Sequence, residues 1–220
     1  MFGFSEARVS LLVNATFETL GMVGAATAFS VLLGLAVGVL LILTAPTGIL
    51  RSRPLYGLLS PIVDITRSVP FIILLVAIIP FTRWLVGTSI GTVAATVPLV
   101  VAAVPFVARL VEAALKEVDN SVVEAIAAMG ATAWQVVTKV YLPEAVPALL
   151  RAATTTAISI VGYSAMAGAV GGGGLRNVAI TYGYQRFQGD IMLATVIILV
   201  IIVQLIQFSG EFLARRLDRR

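Results

Sequence analysis

The run GYSAM, Gly162 to Met166, begins as the nucleophile elbow of a serine hydrolase does, with a serine raised on a turn towards a carbonyl. The elbow's closing glycine is Met166 here, and no histidine exists anywhere to draw the proton from Ser164. A lysine base fails as well, because the only lysines, Lys116 and Lys139, fall in a separate polar segment. Gly171 to Gly174 superficially resemble a phosphate cradle, but no strand precedes them, and a turn that lets a helix break is the simpler expectation. No GxxxxGK[ST] run occurs, so the chain cannot make the lysine-bearing loop of a P-loop ATPase. With neither cysteine nor histidine, thiol chemistry, disulfides and the commonest metal ligand are excluded. No catalytic residue and no metal site is expected.

The elements that carry these residues are greasy. Of 220 residues, 59% are hydrophobic and 12% charged, and the mean hydropathy is +1.03; an ordinary soluble domain carries about 25% charged residues. The expected fold is an all-α integral membrane protein. No residue between Glu18 and Arg51 is charged, nor any from Trp84 to Ala108, Ala152 to Leu175 or Ile191 to Gly210. Each run covers the ~20 residues that a helix needs to cross the hydrocarbon. A fifth run, Ser68 to Thr82, is shorter, so its helix is expected to begin near Tyr56 and to include Asp64 and Arg67. Five spans are expected, near 19–45, 58–81, 86–110, 150–171 and 191–213, in one transmembrane domain over 1–220. The first is read as a true span and not as a cleaved signal peptide, because its uncharged core is too long and only Arg8 precedes it.

The net charge of +4 lies at the edges of the apolar runs, which reads as topology and not as nucleic-acid binding. Arg51, Arg53, Arg67, Arg109, Lys116, Lys139, Arg151, Arg215, Arg216, Arg219 and Arg220 fall on one side, against Arg8, Arg83, Arg176 and Arg186 on the other. The positive-inside rule then puts the N-terminus outside and the C-terminus inside. Gly34/Gly38 and Gly168/Gly172 have the spacing that lets helix backbones approach closely in lipid.

The longest cytoplasmic segment, 112–145, holds two helix-start signals. Ser121 is followed by Glu124, and Thr132 by Gln135, at the spacing of a capping box. Gly130 suits the left-handed residue that closes a first helix, and Pro143 is expected to bound a second. Such a hairpin exposes Ala125, Ala128 and Met129, which suit insertion into a partner's groove. A hairpin that merely rests on its own membrane domain explains the capping and the glycine equally well.

In span 4, Tyr163 and Met166 share a helix face, where they either line a passage, with Ser164 offering a hydroxyl, or fill a helix interface. Pro70 and Phe71 mark a helix break of the kind tolerated at membrane depth where it lines a cavity or is buried. Asp64 and Arg67, three apart on that helix, are a functional candidate as an intramembrane charge pair, while a helix end reaching into the cytoplasm explains both without a special role. A transporter driven by ion gradients would ordinarily leave paired charges at mid-membrane, and four of the spans have none.

Glu124 and Ala125, Gly130 six positions after the glutamate, then Leu142 and Pro143, resemble the cytoplasmic signature loop of ABC importer permeases, usually written E-A-A, three residues, G, nine residues, I-x-L-P. Ile126 stands for the third alanine and Val140 for the isoleucine. RSVPFIILL (Arg67 to Leu75), IPFTRWLVGTSIG (Ile79 to Gly91) and IVGYSAMAGAVGGGGL (Ile160 to Leu175) resemble the methionine uptake members of that family, over nearly the whole chain. The resemblance implies a homodimer in the bacterial inner membrane, two cytoplasmic ATPase subunits that bind ATP and magnesium, and an extracytoplasmic methionine-binding protein. It also implies that Glu124, Ala125, Ala128, Met129, Gly130 and Ala131 dock on the ATPase, while substrate passes by Tyr163, Ser164, Met166, Pro70 and Phe71. Importers of another small amino acid or metabolite share the same loop.

Overall fold

The structure is a computed structural model that describes residues 6–169 and 171–218. Every regular element among them is helical: α1 (Glu6–Thr44), α2 (Arg53–Ser68), α3 (Phe71–Ala77), α4 (Ile79–Val86), α5 (Thr92–Lys116), α6 (Asn120–Ala128), α7 (Ala133–Val136), α8 (Leu142–Ala169), α9 (Gly174–Val178) and α10 (Gly189–Leu217). Wide π-type turns, Val137–Tyr141 and Ala179–Tyr184, precede α8 and follow α9. Helices dominate because lipid offers backbone amides no partner, so each segment must satisfy its own. Four stretches are long and apolar enough to cross a membrane: Glu6–Thr44, Thr92–Lys116, Ala133–Gly168 and Gly189–Leu217. The interrupted pair α2 and α3 makes a fifth if counted as one span.

α1 begins well before the span expected near 19–45. Its 39 residues, at about 1.5 Å each, outreach the hydrocarbon, and the charge-free run marks only the lipid-crossing part. The extra turns carry charge in satisfied form: Arg8 donates to Asp190 at 2.6 Å. The helix expected over 58–81 is also divided. Pro70 lacks an amide donor and pushes the residue before it out of helical geometry, so Val69 lies at φ −78°, ψ 123° and α2 stops there. Pro80 sits in the first turn of α4, where its missing donor costs nothing.

The helices pack into two compact units. The first contains the described residues up to Ala28, with Pro70–Val101 and Ala157–Gln207; its core is built around Leu12, Ala15, Leu175, Val178, Ile191 and Ile202. The second contains Phe29–Val69, Ala102–Thr156 and the residues from Phe208 on, with a larger core in which Ile42, Leu43, Val107, Val111 and Leu115 meet Val123, Val136, Val137, Val140 and Tyr141. In this unit Gly34 and Gly38 lie against α5: a Cβ on Gly34 would stand 2.5 Å from the Cβ of Val107, and one on Gly38 2.6 Å from that of Val111. The spacing read as close helix packing is used there over two successive turns.

Candidate functional site

The hairpin is built from helices too short to persist alone. α6 has nine residues and α7 four, so tertiary contacts must hold them. Val123 is buried and Ile126 half-buried, both against the core that α5 supplies through Val107, Val111 and Leu115; a fully buried side chain of this kind is worth about 1.5–3 kcal/mol. Val136 and Val137 enter the same core from the second arm. The opposite face of α6 is left open, with Glu124, Ala125 and Ala128 exposed and Met129 85% accessible. Ala131 is half-buried on the core side. The hairpin therefore rests on its own domain and offers a free face as well, so the two readings of the sequence are compatible. Trp134, 72% exposed on the second arm, was not singled out from sequence; an aromatic two residues after a cap was the available signal.

The caps differ from expectation on one arm. Asp119, and not Ser121, is the N-cap of α6: its carboxylate accepts from the Ser121 amide at 2.8 Å. That amide holds the Asp119 carboxyl below the usual range. Asp119 can serve because its backbone is extended, at φ −60°, ψ 119°, whereas Ser121 is already inside the helix. On the other arm the capping box forms. The Gln135 amide donates to Thr132 Oγ1 at 3.3 Å, and the Thr132 amide to Gln135 Oε1 at 2.8 Å. Gly130 joins the arms at φ +85°, in open space. Pro143 does not end the second arm; the chain continues through the Val137–Tyr141 π turn into α8. A widened turn gives the proline ring room beside the carbonyls it would otherwise strike, which removes the reason for a stop.

Further along α8, the rings of Phe71 and Tyr163 stack with centroids 5.2 Å apart and planes 15° from parallel. Phe71 is buried, Tyr163 half-buried and Pro70 exposed. Met166 is 46% exposed, and the neighbouring Gly162 faces open space. Ser164, expected to offer a hydroxyl along a passage, is engaged elsewhere. It is fully buried, donates to the Val161 carbonyl at 3.1 Å and accepts from Arg176 Nη1, while Arg176 Nη2 donates to the same carbonyl. Arg176, which had been read only as a topology charge, is itself buried, and burial pushes its guanidinium down to about 10. Its signal was visible: an arginine two residues after a glycine run, in a stretch otherwise free of charge.

The glycine run is a tight turn. Gly171, Gly173 and Gly174 all have positive φ. Two donors at the start of α9 are taken by α1: the Gly174 amide donates to Glu18 Oε2 and the Leu175 amide to Thr19 Oγ1, each at 2.9 Å. No amide in that pair is left to hold a phosphate. Among the described residues there is no group of three or more His, Cys, Asp or Glu side chains able to hold a metal ion.

Residues 30–220 match the family model described as binding-protein-dependent transport system inner membrane component. The chain is 52% identical over 210 residues to the probable D-methionine transport system permease protein MetI of Vibrio cholerae, covering 96% of this chain and 93% of that one. It is 52% identical over 206 residues to the protein of the same name from Pasteurella multocida, covering 94% and 95%. Among solved structures, an inward-facing conformation of the MetNI methionine ABC transporter superposes with a TM-score of 0.96 at 52% identity, over 98% of this chain and 100% of that one. An amino acid ABC transporter crystallised with histidines shares the fold, at a TM-score of 0.74 and 18% identity, over 94% of each chain.

Proposed function

Because the chain belongs to the family of binding-protein-dependent transport system inner membrane components, we propose that it is the membrane-spanning permease subunit of an ATP-driven methionine importer. The observation that carries the substrate is the 52% identity, across 96% of the chain, to a permease named for D-methionine transport. The chain supplies the passage and makes no use of nucleotide itself. ATP and magnesium are bound by two cytoplasmic ATPase subunits, methionine is delivered by an extracytoplasmic binding protein, and two copies of this chain stand side by side in the inner membrane, N-terminus outside and C-terminus inside.

Glu124, Ala125, Ala128, Met129, Gly130 and Ala131 form the element that the ATPase grips. The two-sided burial of α6 supports this: one face is fixed in the second unit's core by Val123 and Ile126, the other free for a partner. A pull on the free face reaches α5 through packed side chains, because close-packed interiors transmit strain. To swing the passage from 1:99 to 99:1 in favour of one side, nucleotide must favour one arrangement by about 10⁴-fold. Along the passage, Tyr163 and Met166 present flat and flexible apolar surface suited to an unbranched thioether, with the buried Phe71 ring stacked behind Tyr163 next to the Pro70 break. Ser164 supports that wall from behind.

The experiment is uptake of labelled methionine into vesicles containing this chain, with and without its ATPase and binding protein. Accumulation only when both partners and ATP are present is expected. Accumulation by the chain alone, driven by an ion gradient, would refute the reading.

A further inference from the structure

We propose that Arg109 is a positioning residue that makes α2 follow the hairpin, so that α5 and α2 move as one bar during transport; the proposal rests on the coupling role given to the hairpin above. The inner turns of α5 have two working faces. Val107, Val111 and Leu115 meet the hairpin in one core. One step round the helix, Ala108 shares a small buried cluster with Val63 of α2 and Leu41 of α1, and Arg109 and Glu112 meet a stripe on α2 formed by Tyr56, Ser60 and Asp64, each four residues from the next.

Arg109 spends its fork on this stripe. Nε donates to Asp64 Oδ1 at 3.0 Å and Nη2 to Asp64 Oδ2 at 2.7 Å, a two-point grip on one carboxylate. Nη2 also donates to the Ser60 carbonyl at 3.0 Å and to Ser60 Oγ at 2.6 Å. Nη1 donates to Glu112 Oε2 at 2.5 Å. The Glu112 side chain is 3% exposed, and its other oxygen accepts from Lys116 Nζ at 2.7 Å and Tyr56 Oη at 3.3 Å. Apolar packing alone would hold α2 near α5 yet let it slide by small steps. A planar fork aimed at a carboxylate and a backbone carbonyl on the same neighbour fixes register as well as contact, which one ammonium could not do. α2 ends at Val69, so along the chain the next residues it pulls are Pro70 and Phe71, whose ring lies on Tyr163. By contrast Arg67, 3.9 Å from the same Asp64 and exposed, is a surface pair of little value.

The chain has no cysteine, so an introduced pair is the only one. In the complete complex with ATPase and binding protein, Val63→Cys with Ala108→Cys, once loss of both free thiols shows that oxidation has joined the pair, should keep uptake within about twofold of the reduced sample, since a bond between elements that already move together adds no new restraint. A larger loss that reductant reverses would overturn the proposal by showing that α2 must slide on α5. Separately, Arg109→Lys and Asp64→Asn should each lower methionine imported per ATP by about fivefold, with ATPase binding kept, and the double variant should be no worse than either. Arg67→Gln should leave the ratio unchanged. An unchanged ratio in both single variants, or additive losses in the double, would also overturn it. A wild-type complex without ATP-driven uptake is a different failure, that of the importer reading, and takes this proposal with it.

Discussion

Replacing Gly130 separates a backbone cause from a steric one. The residue sits at φ +85°, and an added Cβ would meet nothing within 4 Å. Any cost within this chain is therefore conformational. A left-handed conformation costs an ordinary L-residue roughly 1–2 kcal/mol, and a β-branched one is disfavoured further, to roughly 3 kcal/mol. Asparagine, which tolerates that region, should cost little. At about 1.36 kcal/mol per tenfold, Gly130→Ala should lower the ratio of correct to incorrect turn by about fivefold to thirtyfold, and Gly130→Val by about a hundredfold. Membrane insertion should be normal in all of them, because the spans are untouched. The assay is ATP hydrolysis and methionine uptake measured together in vesicles, with coupling expected to fall in the order Gly, Asn, Ala, Val. Crowding against a docked partner would instead make asparagine, the larger residue, worse than alanine. That reversed order, or normal coupling in the valine variant, would refute the reasoning.

Ser164→Ala removes an acceptor from the buried Arg176 and should lower stability by about 1–3 kcal/mol, read as the thermal midpoint of the purified protein; the KM for methionine should not change, because the hydroxyl faces Arg176 and not the passage. Thr132→Ala breaks the capping box at a cost of about 1 kcal/mol, seen as faster amide exchange at Gln135. The Asp119 carboxyl is held below its usual range by the Ser121 amide, so its cap is fully present above about pH 3.9 and fades as pH falls through the depressed value. Exchange at Ser121 should accordingly gain an acid-dependent opening step that Asp119→Asn abolishes, and show no opening transition near neutrality.

What the sequence made legible was what local spacing dictates. Thr132 with Gln135, Gly130 between two short helices, and Pro70 as a break are all decided within about one helical turn, and all took the expected form. Asp119 and Ser121 can both cap, and only the backbone at Asp119 decides between them. Pro143 was misread because a π turn is a packing outcome with no clear residue signature. Asp64 was read as a charge at a helix end because Arg109, its partner, lies 45 residues away. Ser164 looked available because Arg176 joins it only after the chain turns back through the glycines. The last two misses are contacts between separate helices, and each involves a charge whose neighbours the hydropathy pattern does not reveal.

The contact between Glu18 and Gly174 bears on biogenesis. These residues are 156 positions apart, so the Glu18 carboxylate on the first helix meets its donor only after the ribosome has delivered most of the polypeptide, while the Thr19 hydroxyl already donates to the Ala15 carbonyl within α1. Until then the amides of Gly174 and Leu175 have no closure, and the turn they open stays unlatched. The turn that opens α9 is thus fastened only when the late part of the chain meets the helix made first.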